Sequence, residues 1–97
     1  MRHFYASQAI LKHIYEKHKD LIKILNIKNI DELKTIIINV LWKPDEIYLD
    51  KYRSNVKYYL KRINDLWINI ILIGNIVKTA YLISSKSYKR YRDKRWL

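Results

Sequence analysis

Residues 56–83 read VKYYLKRINDLWINIILIGNIVKTAYLI, and this run decides the fold. It is rich in β-branched and aromatic residues, which suit a pleated, half-buried surface. Two polar breaks, Asn64-Asp65 and Gly74-Asn75, cut it into segments of strand length: Val56–Ile63, Leu66–Ile73 and Ile76–Ile83. Connections of two residues permit only antiparallel neighbours. The middle segment is apolar except for Asn69, so it belongs inside the sheet with both faces mostly covered. Working outward, Glu46–Leu49 supplies a further strand ahead of the turn residues Arg53-Ser54-Asn55. The sequence thus predicts a four-stranded antiparallel sheet.

Upstream of Pro44 the period is helical. Ile10, Leu11, Ile14, Tyr15, Leu21, Ile22 and Leu25 recur every three or four residues, which predicts one amphipathic helix from Ser7 to Leu25, with Ser7 as N-cap. Asn29 followed by Glu32 announces a second helix through Ile30, Leu33, Ile36, Ile37, Val40 and Leu41. Pro44 ends it by pushing Lys43 out of the α region. The expected architecture is α+β, with two N-terminal helices packed on one face of a twisted sheet. Residues 7–42 form the helical part and 44–84 the sheet. Residues 85–97 are a basic, aromatic tail with little to bury, read as a short helix or as disordered. Residues 1–97 are a single domain, because so short a chain cannot supply two cores.

Twenty Lys and Arg against nine Asp and Glu give a formal charge of +11. Self-repulsion of that size is relieved by a polyanionic partner, of which nucleic acid is the first expectation and an anionic membrane the second. The absence of Cys excludes disulfides, thiol chemistry and cysteine-ligated zinc. His3, Lys12, His13 and Lys17 interrupt any signal-peptide core, and Asn69, Gly74, Asn75 and Lys78 break the longest apolar stretch. A cytoplasmic protein, with no membrane association, is the expectation. The high Ile and Lys content fits an AT-rich genome or a thermophile equally.

The order of several short pieces carries a resemblance. His13-Ile14-Tyr15-Glu16-Lys17-His18, Pro44-Asp45-Glu46-Ile47-Tyr48, Tyr58-Tyr59-Leu60-Lys61 and Thr79-Ala80-Tyr81 follow one another as in the phage-type branch of the BECR ribonucleases, the superfamily grouping barnase, EndoU, tRNA-cutting colicins and RelE-like toxins. The resemblance runs from about Ile10 to Ser84. It implies a metal-independent endoribonuclease without cofactors. The RNA substrate, whether tRNA, mRNA or rRNA, would lie on the side or edge of the sheet away from the N-terminal helices, and an antitoxin or immunity protein would be a partner. Lys78 departs from the small or aliphatic residue similar sequences carry there.

Metal-free RNA cleavage requires a base for the 2′-hydroxyl, an acid for the leaving 5′-oxygen, and donors for the phosphorane-like charge. A histidine has both protonation states available near neutrality. The catalytic candidates are His18, His13, Lys17 and Thr79. His18 falls within the apolar arc of its helix, where burial would lower its pKa; a core histidine bonded to backbone carbonyls is the alternative. His13 and Lys17 are four residues apart and share a face, where they would bracket one phosphate or simply face solvent. Thr79 matches a phosphate-donor position of the family and alternates with Lys78 and Ala80, so Thr79 and Tyr81 are expected on one side and Lys78 and Ala80 on the other. The substrate-binding candidates are Tyr59, Lys61 and Tyr81 on the sheet, and Lys86, Lys89, Arg90 and Arg92 in the tail. Aromatic rings stack bases and cations neutralise phosphates.

Three functions remain open to this sequence: a toxin-like or mobile-element endoribonuclease, a non-catalytic RNA- or DNA-binding protein, and a module that blocks an acidic host protein. The first requires His18 close to Thr79, with a cationic hollow between them. An edge strand, first or last, could pair two copies into a homodimer.

Overall fold

The computed structural model describes residues 3–96 of the chain. Three helices precede the sheet. α1 (Gln8–Lys17) starts at Ser7, whose side chain accepts from the Ile10 amide at 3.1 Å. α2 (Lys19–Ile24) follows after a break at His18, and α3 (Ile30–Trp42) starts at Asn29, whose side chain accepts from the Glu32 amide at 2.9 Å. The Glu32 carboxylate reaches back to the Lys28 amide at 2.7 Å, so two orphan donors of the first turn are satisfied.

The expected helix from Ser7 to Leu25 is therefore two helices. His18 has φ −109° and ψ 64°, closes α1 by donating to the Ile14 carbonyl at 2.9 Å, and precedes the first residue of α2. The break is invisible to periodicity because Leu11, Ile14 and Leu21 are all buried in one cluster on either side of it.

The sheet has the order β1-β2-β3-β4, all antiparallel, with β1 at Glu46–Leu49, β2 at Val56–Ile63, β3 at Leu66–Ile73 and β4 at Ile76–Ser84. The two tight turns each place their first residue at positive φ, Asn64 at 53° and Gly74 at 61°. Asparagine and glycine tolerate that region best. Register between β3 and β4 slips after Ile71, which pairs with Thr79 while Leu72 pairs with Val77. Lys78 is the extra residue of this bulge. Alternation alone puts Lys78 on the side of Ala80; instead Ala80 is fully buried under the helices and Lys78 is exposed on the other side, because the bulge resets the phase.

Each face of the sheet has its own core. On the first, Leu11, Ile14, Leu33 and Ile37 meet Ile68, Ile70, Leu72 and Val77. Full burial of each such side chain is worth roughly 1.5–3 kcal/mol. The second face corrects the expectation of a tail with little to bury. Residues 85–94 form α4, capped by Ser84 accepting from the Ser87 amide at 3.1 Å. Tyr88 stacks on Trp67 with ring centroids 4.2 Å apart, and Trp96 stacks on Tyr48 at 5.0 Å. Both tail aromatics are buried, at 6% and 5% exposure. Asp50 ties the segment down: it bridges to Trp96, and the next residue, Lys51, donates to the Arg95 carbonyl at 2.9 Å.

The outer edge of β4 is partly occupied. Tyr5 forms a parallel bridge to Ile76, with hydrogen bonds of 2.9 Å to Asn75 and 2.8 Å from Val77. α1 and α2 then pack along the rest of the strand. Among the described residues no helix is long and apolar enough to cross a membrane.

Candidate active site

The break at His18 has a local consequence. A histidine inside a continuous helix would keep its backbone in the α region; at a corner it can turn its ring along the edge of β4. There its Nε2 lies 3.4 Å from Thr79 Oγ1, and its ring stacks on Tyr81 with centroids 5.6 Å apart and planes 30° from parallel. Thr79 and Tyr81 are two apart on β4 and so project to one side of the strand. The His13 ring, one turn back on the exposed side of α1, is 6.2 Å from His18.

The electrostatics favour a neutral His18. Partial burial lowers its pKa below the usual 6.5, a positive charge on His13 lowers it further, and Asp20 opposes both. Near neutrality its imidazole is then mostly unprotonated and able to accept a proton. The Tyr81 phenol is pushed up, chiefly by burial, so it remains a neutral hydrogen-bonding group. Lys17 is exposed and joins His18, Lys19, Asp20 and Tyr81 around a depression of about 170 Å³.

Tyr81 is also a wall of a second hollow, of about 210 Å³, on the sheet face away from the N-terminal helices. Arg53, Lys78 and Arg95 line it together with Tyr58, Tyr91, Trp96 and the side chain of Asn69. The Tyr58 hydroxyl donates to Asp50, whose carboxylate also accepts from the amides of Tyr52 at 3.0 Å and Arg53 at 2.9 Å. Those bonds, that of Tyr58 first, hold the Asp50 carboxyl below its usual pKa. The phenol of Tyr58 is correspondingly raised to about 12, by burial and by Asp50.

The remaining candidates divide. Lys86, Lys89, Arg90 and Arg92 are all exposed on α4, with the guanidinium of Arg90 over Tyr91 and that of Arg92 over Tyr88, each 5.4 Å from the ring centroid. Tyr59 is not on an open surface. It is 4% exposed on the helix-covered face, edge-on to Phe4 at 5.6 Å, so it is a core residue and cannot stack a base. Lys61 lies on β2, two strands from β4, and pairs with Asp45 at 3.4 Å. It is not brought to His18. Two contributors were missed. Asn69 was legible only as a lone polar residue in an apolar strand, and Lys78 joins the hollow through a bulge that alternation does not announce.

Among the described residues no group of three or more His, Asp or Glu could hold a metal ion. No family model, curated protein or solved structure matches the chain.

Proposed function

We propose that the protein is a metal-independent endoribonuclease of the BECR type, cutting RNA to 2′,3′-cyclic phosphate and 5′-hydroxyl ends and acting as a toxin-like effector in the cytoplasm, where an antitoxin or immunity protein would restrain it. The observation that carries this reading is the 3.4 Å approach of His18 Nε2 to Thr79 Oγ1, with the ring of Tyr81, stacked on His18, forming one wall of a cationic hollow. His18, kept neutral by burial and by His13, takes the proton of the ribose 2′-hydroxyl as that oxygen bonds to phosphorus. The Thr79 hydroxyl donates to a non-bridging phosphate oxygen, Lys17 offsets the developing charge, and His13 supplies the proton to the leaving 5′-oxygen. Two histidines of unequal environment are suited to opposite roles.

Incubation of the purified protein with mixed RNA in EDTA tests the proposal. Cleavage should persist in EDTA and leave cyclic phosphate ends. It should fall by roughly 100- to 10,000-fold in a folded His18→Ala protein and by roughly 100-fold or more in Thr79→Ala. RNA that is bound but uncut by the unmutated protein overturns it. That result would favour a non-catalytic RNA- or DNA-binding protein, a reading supported by the exposed cations Lys86, Lys89, Arg90 and Arg92 on α4.

A further inference from the structure

We infer that the hollow beside Tyr81 is a base-reading subsite for a nucleobase carrying an exocyclic amino group, adenine, cytosine or guanine, in preference to uracil; this rests on the ribonuclease reading above. Asn69 carries the argument. It is the one polar side chain of an otherwise apolar central strand, 1% exposed, and its Oδ1 is buried without a hydrogen-bond donor. A buried acceptor left unpaired is costly, and folded proteins keep few of them except where a ligand or water is to be received. Asn69 stands opposite Tyr81 in the sheet register and lines the hollow, with its buried Oδ1 left without a donor.

The walls select the rest of the ligand. Tyr81 and Tyr91, both half-buried, offer ring surface to a flat heterocycle, and Lys78, Arg95 and Arg53, the last also paired with Asp50 at 3.8 Å, offer positive charge. At about 210 Å³ the space is smaller than the roughly 300–1,000 Å³ of pockets for drug-sized molecules, so it admits one base and leaves sugar and phosphate outside. An amino group projects beyond its ring and can reach a recessed acceptor. The N3–H of uracil lies between two carbonyl oxygens, which would meet Oδ1 first. Tyr81 is the shared wall: one ring separates the hollow from His18. A base held there would bring its own phosphodiester to His18 and Thr79.

The test uses the His18→Ala protein, which does not consume its ligand, and fluorescence anisotropy with labelled oligo(A), oligo(C) and oligo(U) at fixed salt. Oligo(A) and oligo(C) should bind at least about tenfold tighter than oligo(U), the scale of discrimination of one hydrogen-bonded base contact. Adding Asn69→Leu should bring the three within twofold without weakening oligo(U). In the unmutated protein, adenosine and cytidine monophosphates should shift the Asn69 side-chain amide resonances and uridine monophosphate should not, a readout independent of whether the Leu variant folds. Equal binding of all three oligonucleotides, a preference that survives Asn69→Leu, or equal shifts from all three nucleotides overturns the subsite. Base-selective binding without cleavage by the unmutated protein would remove the nuclease and keep the subsite; cleavage with no base preference would do the reverse.

Discussion

His18 terminates one helix, precedes another, and turns its ring to the strand that carries Thr79 and Tyr81. Its lowered pKa has a direction that can be checked. A base must be neutral to act, so the acid limb of the rate profile should fall below pH 6.5, and activity should decline as pH drops through the folded-state value. Burial makes the largest contribution and His13 the next, so His13→Gln should move the His18 midpoint upward in an NMR titration of the imidazole. A midpoint unmoved by that substitution would remove His13 from the electrostatics of the site. The same depression acts on stability. The unfolded chain binds the His18 proton more readily, so its contribution is present above pH 6.5 and is lost as pH falls through the lowered value.

Elements explain which parts of the fold could be read in advance. Strand bounds from Glu46 to Ile73 agree with expectation because apolar alternation and the turn residues Asn64 and Gly74 are local signals. α4 was not readable in the same way. Only Tyr88 is buried within it, and the second anchor, Trp96, lies beyond its end, so no periodic stripe marks it. His18, Thr79 and Tyr81 came from ordered motifs, whereas the bulge at Lys78 and the role of Asn69 depend on register across strands. The docking of α4 predicts two losses of stability. Trp96→Ala should cost about 3 kcal/mol in chemical denaturation, the scale of a large buried aromatic removed from a core. Asp50→Ala should cost about 3 kcal/mol as well, since the Tyr58 hydroxyl and the amides of Tyr52 and Arg53 lose a buried charged acceptor. The carboxyl of Asp50 is lowered in the folded state, so its contribution holds above pH 3.8 and disappears as pH falls through the lower folded value. A change well under 1 kcal/mol in either variant would mean that α4 is not clamped to the sheet.

At the scale of the whole molecule, a charge of +11 is carried by a body whose radius of gyration is 12.7 Å, so a phosphate chain feels many cations at once. The cations differ in what they can do. Arg53, Lys78 and Arg95 line the hollow, whereas Lys86, Lys89, Arg90 and Arg92 are exposed on α4, so on the proposed reading they would meet only the backbone of a long ligand. Phosphate contacts release counterions without reading sequence, each adding about 0.7 to the slope of log affinity against log salt for a single strand. Replacing Lys86, Lys89, Arg90 and Arg92 together by Gln should therefore lower that slope by about 3. Oligo(A), oligo(C) and oligo(U) should weaken by the same factor, leaving any base preference intact. Binding isotherms between low and physiological salt measure both quantities. An unchanged slope would show that RNA does not cross α4, and a slope that fell for one base alone would show that the helix reads sequence itself.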